Sequence, residues 1–249
     1  MNANRMLAVV AGLLFIIATV ADLISRVAFV QPILSDPIDL ARISANEDQL
    51  LLGAIFLFVG AAAAAGIAVA LYPVLRKHSE GLALGAVGFR LIEGALYIGI
   101  VVCLLVLVTT SRQAANAGAS ASATNTVPGG LLLAARDALG EVAVLAFGVG
   151  ALMYYAVFYR SRLVPRWLSA WGLVAVVSVI LSGLLVMLGR IEPMSTTQIV
   201  LALPIFLQEM VLAVWLIARG FDSSAVAPES AGGTTSWPAT ASPAPRSAS

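Results

Sequence analysis

Six long apolar segments are the feature that most constrains the fold of this 249-residue chain. Each reaches the roughly 20 residues that an α-helix needs to cross a hydrocarbon core of about 30 Å. The runs are rich in Ala and Leu and show no sustained alternation of apolar and polar residues, which argues against strands. A helix also satisfies its own backbone groups in lipid. The sequence therefore predicts an all-α polytopic membrane protein, a bundle of six transmembrane helices at about residues 6–30, 49–71, 82–108, 131–158, 167–188 and 198–218.

Composition supports a membrane location and excludes several classes of function. The chain is 60% hydrophobic and 11% charged, whereas soluble domains carry about 25% charged residues. A net charge of +1 with no dense basic stretch gives no reason to expect a nucleic-acid partner. His78 and Cys103 are the single histidine and cysteine, so His-rich metal sites, bis-His haem and intramolecular disulfides are excluded.

The connections between the segments predict boundaries and orientation. We expect a transmembrane domain over 1–221, a disordered Ser/Ala/Pro-rich tail over 222–249, and a flexible loop over Thr109–Gly130. The acidic linker Gln31–Asp48 has room for a short surface helix that could start near Ser35. Met153, Tyr154, Tyr155 and Tyr159 are expected to form an interfacial aromatic belt where the fourth segment ends.

Basic residues collect in alternate connections. One side of the membrane receives eight of them and the other receives three, namely Arg42, Arg112 and Arg190. Because Lys and Arg are enriched in cytoplasmic loops, both termini are expected in the cytoplasm, in a protein of the cytoplasmic membrane. The eight are Arg5, Arg76, Lys77, Arg160, Arg162, Arg166, Arg219 and Arg246.

Eight ionisable residues fall inside the predicted spans, where charges are rare and usually mark a functional site. Arg90 and Glu93 are three residues apart and Asp22 and Arg26 are four apart, so each pair shares a helix face. The spans contain five acids and three bases, and a carboxylate without a partner at this depth takes up a proton or binds a cation. The candidate intramembrane polar site comprises Asp22, Arg26, Arg90, Glu93, Arg136, Asp137, Glu141 and Glu209.

Depth along the helices divides these residues into two layers. At 1.5 Å per residue, Arg90, Glu93, Glu141 and Glu209 lie near the middle, while the other four lie in the outer third. Glu141 and Glu209 are the expected partners of Arg90 and Glu93 and the expected surplus carboxylates. The second and fifth segments contribute no charge, which indicates that they are packing helices.

Four stretches resemble one known family. They are Ala70-Leu-Tyr-Pro-Val-Leu-Arg-Lys-His-Ser-Glu80, Gly88-Phe-Arg-Leu-Ile-Glu-Gly94, Leu131-Leu-Leu-Ala-Ala-Arg-Asp137 and Tyr159-Arg-Ser-Arg-Leu-Val-Pro-Arg-Trp-Leu-Ser-Ala-Trp-Gly172. From about residue 4 to 219 the chain is similar to the bacterial integral membrane proteins of the domain of unknown function 4386 family. The resemblance implies a polytopic helical membrane protein and brings no established activity, so no catalytic residue is carried over.

The charged residues within the spans are compatible with two main hypotheses for the function. In the first, the protein is a non-enzymatic membrane component that binds a partner protein or a lipid, and the buried charges hold the helices together. In the second, it transports a small solute or protons through the intramembrane Glu and Arg residues. An enzyme acting on a lipid-like substrate ranks third, because the sequence shows no catalytic set and no cofactor or metal motif. The expected partners are the lipid bilayer and a small-molecule or lipid ligand.

Overall fold

The computed structural model describes residues 3–34, 38–117 and 119–222, and in these residues it contains seven α-helices and no strand. Helix α1 continues directly into a π-helical turn, Ser25–Val30. The α-helices are α1 Ala3–Ile24, α2 Leu40–Ala45, α3 Glu47–Leu75, α4 Glu80–Ala117, α5 Ala119–Ser161, α6 Arg166–Met187 and α7 Thr196–Ala218.

Six of these helical segments are long and apolar enough to cross a membrane. They are α1 with its π-helical turn, α3, α4, α5, α6 and α7, and only α2 is too short. The prediction of an all-α fold with six spanning helices is therefore confirmed, and the chain is a multi-pass membrane protein. The tail expected to be disordered over 222–249 lies, apart from Asp222, outside the described residues.

The short helix expected in the acidic linker is α2. Its N-cap is Asp39, whose carboxylate accepts hydrogen bonds from the backbone N–H groups of Ala41 and Arg42 at 3.0 and 3.1 Å. Such a cap satisfies donors that the first turn leaves unpaired. The N-cap therefore lies four residues after the Ser35 at which the sequence suggested a start, and 35–37 lie outside the described residues.

The prediction of a flexible loop over Thr109–Gly130 is wrong for the described residues. Helix α4 continues to Ala117 and α5 begins at Ala119, so this Ser- and Ala-rich stretch extends both helices. Alanine has the best intrinsic helix propensity, and the ion pair between Arg112 and Glu47, at 2.6 Å, fixes the extension of α4 to α3. Since 38 residues make a helix of about 57 Å, α4 is much longer than a bilayer core.

The spanning helices form a closed ring in chain order. Helix α3 packs between α1 and α4, α4 packs against α5, α5 against α6, α6 against α7, and α7 returns to α1. Consecutive helices joined by short connections are normally neighbours, so the contact between the first and last helices is what completes the ring. The ring encloses a polar cavity that α6 does not border.

Two residues of α1 make the contact with α7. Gly12 lies so close to α7 that a Cβ atom there would be 2.7 Å from the carbonyl oxygen of Ala213. One turn from the N-terminus of α1, the Arg5 guanidinium donates to the carbonyl oxygens of Leu216, at 2.9 Å, and Ile217, at 2.5 Å. The last carbonyls of a helix have no partner within it and carry partial negative charge, so Arg5 stabilises the C-terminus of α7.

Substitution of Gly12 tests the closure of the ring. We expect Gly12→Ala to lower the free energy of unfolding by about 1–3 kcal/mol, because the new methyl group meets a backbone carbonyl that cannot rotate away. Gly88→Ala is the matched control, since nothing lies within 4 Å of a Cβ there, and replacing a mid-helix glycine gains up to about 1 kcal/mol. Unfolding of the detergent-solubilised protein measures both. Equal stability of the two variants would contradict a tight contact between α1 and α7.

Candidate functional site

Four of the charged residues singled out in the sequence border the central cavity of the ring, and one of them, Asp22 of α1, is paired with Arg26. Arg90 and Glu93 extend from α4 and Glu209 extends from α7 into a cavity of about 240 Å³. Arg90 and Glu93 are buried, with 3% and 4% of their surfaces exposed. Helices α1, α3 and α5 supply the remaining, mostly apolar wall.

Arg90 and Glu93 form the ion pair that their spacing predicted, with 2.8 Å between Nη1 and Oε2. The guanidinium also lies over the rings of Phe147, at 5.0 Å, and Tyr154, at 5.9 Å. Aromatic faces attract a cation, so they replace part of the water that Arg90 loses on burial. The Nε atom of Arg90 is buried and has no hydrogen-bond partner.

Glu209 faces Arg90 from the other side of the cavity and interacts with it electrostatically. The Tyr154 hydroxyl donates to Oε1 of Glu209 at 3.2 Å. One residue away, the Tyr155 hydroxyl donates to Oε1 of Gln208, whose Nε2 donates to the carbonyl oxygen of Leu168 at 3.1 Å. Two adjacent residues of α5 thus bind two adjacent residues of α7 and hold Glu209 in place.

The expectation that Tyr154 and Tyr155 lie in an interfacial belt is wrong, because neither side chain has any exposed surface. Tyr159 is 40% exposed, as expected for a residue of an interfacial belt. The helical spacing of Phe147, Ala151, Tyr154 and Phe158 would have predicted the burial, since steps of four, three and four residues follow one face of a helix. Sequence reasoning missed these tyrosines and Gln208 because aromatic residues near a span end are usually interfacial.

A second cavity of about 310 Å³ is bordered by the other four charged candidates. Arg26 reaches it from the π-helical turn, and Arg136, Asp137 and Glu141 reach it from α5. Arg136 and Asp137 are paired at 2.9 Å. Oε2 of Glu141 is buried without a hydrogen-bond partner, so this carboxylate has capacity for a further donor or cation.

The structure does not bring Glu141 to Arg90 and Glu93, although the sequence predicted that contact. The side chain of Arg90 meets α5 at Gly150, where a Cβ would be 3.5 Å from its Cγ. Gly150 is nine residues beyond Glu141, which corresponds to about 13 Å along the helix. Of the two carboxylates expected to join Arg90 and Glu93, only Glu209 lies in the same cavity.

A thin layer of side chains separates the two cavities. Asp22 and Arg26 are paired at 2.9 Å, with Asp22 bordering the central cavity and Arg26 the outer one. Leu57 borders both cavities, and Tyr97 lies beside the Asp22–Arg26 pair. The π-helical geometry begins at Ser25, next to this layer, and such turns occur frequently at functional sites.

The central cavity reaches the outer surface of the ring between α1 and α7. Leu23 of α1 and Phe206 of α7 border the cavity and are themselves exposed. Gly12 and Ala213, where the same two helices touch closely, do not line the cavity. In a membrane, this opening faces lipid.

The single histidine of the chain lies outside both cavities. His78 is in the turn between α3 and α4, where partial burial and the neighbouring charge of Lys77 lower its pKa. Its imidazole is therefore neutral at pH 7.

Among the residues that the structure describes, no group of three or more His, Cys, Asp or Glu side chains is placed to hold a metal ion.

Comparison with known proteins identifies the sequence family and nothing more specific. The model of a family described as "Domain of unknown function (DUF4386)" matches residues 10–220. No curated protein and no solved structure matches the chain. The cavities and their charges must therefore be interpreted from their own chemistry.

Proposed function

The chain belongs to the DUF4386 family, and we propose that it is a non-enzymatic membrane protein that binds a small amphiphilic cation in its central cavity. One observation carries this proposal. The cavity brings together Arg90, Glu93, Glu209 and Asp22, which is one base and three acids, and Asp22 is already paired with Arg26. Since Arg90 and Glu93 already neutralise each other, Glu209 supplies a surplus carboxylate at membrane depth, and it binds either a proton or a cation.

The rings around the cavity also favour an organic cation. The cavity is lined by Phe15, Tyr97, Phe147 and Phe206, and aromatic faces bind quaternary ammonium groups. Most of the remaining wall is apolar, and the cavity opens toward lipid between Leu23 and Phe206. A ligand with a positive head and an apolar body fits both parts of the cavity and can enter from the bilayer.

A purely structural role for the charges fits the contacts less well. Three of the four ion pairs in the described residues join residues one to four positions apart, so they lie within one continuous helix. A pair within one helix cannot hold two helices together, and only Arg112 and Glu47 link α4 to α3. Hydrogen bonds make the other links, some from charged groups such as Arg5 to the end of α7, and some from neutral groups such as the Ser25 hydroxyl to the carbonyl oxygen of Gly53 at 2.7 Å.

Binding of benzyltrimethylammonium, an aromatic cation with permanent charge, tests the proposal. We expect the full-length protein in lipid nanodiscs to bind the radiolabelled cation, and Glu209→Gln to weaken binding about tenfold or more, as losing an interaction with a charged group does. The amide oxygen of this variant can still accept the hydrogen bond from Tyr154, so the fold is retained. Glu141→Gln is the matched control and should bind as the wild type does. Equal binding by both variants, or no binding by the wild type, would contradict the proposal.

Proton-coupled transport is the second candidate, and the outer cavity favours it. Glu141 lies in that cavity, Leu57 borders both cavities, and the paired Asp22 and Arg26 border one each. A rearrangement of this layer would join the two cavities into one polar path, with a proton and a cation alternating on Glu209. Carboxylate chains of this kind serve as proton relays in transporters.

Uptake into proteoliposomes distinguishes transport from binding alone. With an acidic interior, we expect wild-type protein to accumulate benzyltrimethylammonium in exchange for protons, and Glu209→Gln to show only the uptake of protein-free liposomes. The permanent charge of the cation keeps its passive leak low. A wild type that binds the cation in nanodiscs but accumulates none would be a binding protein and not a transporter.

For the orientation, we propose that both termini face the cytoplasm, in a protein of the cytoplasmic membrane. The support is the excess of Lys and Arg at the ends of α1, α3, α5 and α7. A green fluorescent protein fused after Ser249 should fluoresce, and an alkaline phosphatase fused there should be inactive. The reverse pattern would place both termini outside.

A further inference from the structure

A pocket of about 480 Å³ lies at the end of the ring where α5, α6 and the C-terminus of α7 meet, remote from both charged cavities. Arg162 and Arg166 border it from the α5–α6 connection, and Arg219 borders it from the end of α7. The membrane-embedded site proposed above does not use any of these residues.

The charge of this pocket is strongly positive. None of the three guanidinium groups forms an ion pair within the described part of the chain. Asp222 also borders the pocket, so three positive charges face one negative charge. Arg5 adds a fourth positive charge nearby, since its Nη1 would be 3.1 Å from a Cβ on the pocket residue Gly220.

The backbone that carries these arginines is held firmly. Leu163 and Val164, between the two arginines of the connection, are fully buried. The carbonyl oxygen of Leu163 accepts a hydrogen bond from the backbone N–H of Asp222 at 2.9 Å, which ties the connection to the end of α7. Arg162 has a positive φ of 57°, a conformation that costs a non-glycine residue free energy and that these contacts maintain.

The surroundings place the pocket at the surface of the bilayer. Trp215 lines it, and Tyr159 and Trp167 stand exposed nearby, as aromatic residues do at the level of lipid headgroups. The guanidinium of Arg166 lies over the Tyr159 ring at 5.6 Å. Beside Trp215, the exposed Val214 continues an apolar surface along α7 into the membrane.

We propose that this pocket binds the phosphate group of an anionic phospholipid, whose acyl chains lie along the exposed apolar surface of α7. Guanidinium groups present paired N–H donors that match phosphate oxygens. Basic pockets between spanning helices bind anionic headgroups in the same way. The apolar surface next to the pocket favours a lipid over a free phosphate ion. This site is independent of the cation site around Glu209.

Native mass spectrometry of the full-length protein, titrated with phosphatidylglycerol and phosphatidylcholine in detergent, tests the inference. We expect the wild type to prefer phosphatidylglycerol. The double variant Arg162→Gln/Arg166→Gln should lose about tenfold or more of that affinity, because each basic residue at the surface contributes separately. Arg219→Gln, which removes a guanidinium from a different helix, should also weaken phosphatidylglycerol binding.

The control is Arg76→Gln/Lys77→Gln, which removes two basic charges from the same side of the membrane but outside the pocket. It should keep the affinity of the wild type within about twofold. Equal losses in the two double variants would mean that general surface charge attracts the lipid, and would overturn the inference. A wild type without preference for phosphatidylglycerol would overturn it too. Displacement of the lipid by millimolar inorganic phosphate would identify the site as one for a free anion.

Discussion

The contact between α1 and α7 is the interaction on which the rest of the structure depends. Each other neighbouring pair in the ring follows directly in chain order, whereas this pair joins the two ends of the membrane domain. Gly12 permits the close approach and Arg5 binds the last carbonyls of α7. The central cavity lies inside the ring that this contact closes, and its exposed lining residues Leu23 and Phe206 belong to the same two helices. Arg5 also lies beside Gly220, which borders the basic pocket at the end of α7.

Neutral and charged groups have different roles in this bundle. Hydrogen bonds from Ser25, Tyr155, Gln208 and Ser178 connect neighbouring helices, and each ends on a carbonyl or amide oxygen. Contacts of this type contribute about 0.6–2 kcal/mol each inside a membrane. The buried charges mostly pair within their own helix and so remain directed at the cavities. The charges at the cavities are thus available for a ligand, whereas the charge of Arg5 contributes to the closure of the ring.

The sequence predicted those features that the geometry of one helix determines. The six spans follow from segment length, and the pairs Asp22–Arg26 and Arg90–Glu93 follow from a spacing of three or four residues. Contacts between helices were predicted poorly, because they depend on the rotation and shift of each helix, which side-chain packing sets. The predicted contact of Glu141 with Arg90 and Glu93 is therefore absent, and the burial of Tyr154 and Tyr155 was missed. The extension of α4 and α5 was missed because Ser-rich stretches favour loops on composition alone.

The great length of α4 has a mechanical consequence. An α-helix is stiff, and about 40 Å of it separates Arg90 from the end of α4 at Ala117. Much of that length extends past a bilayer core of about 30 Å, on the side of the ring where α2 lies. The projecting part packs against α2 and is linked to α3 by the Arg112–Glu47 ion pair. A displacement of this extension would therefore have to move α2 and α3 together with the helix that carries the Arg90–Glu93 pair.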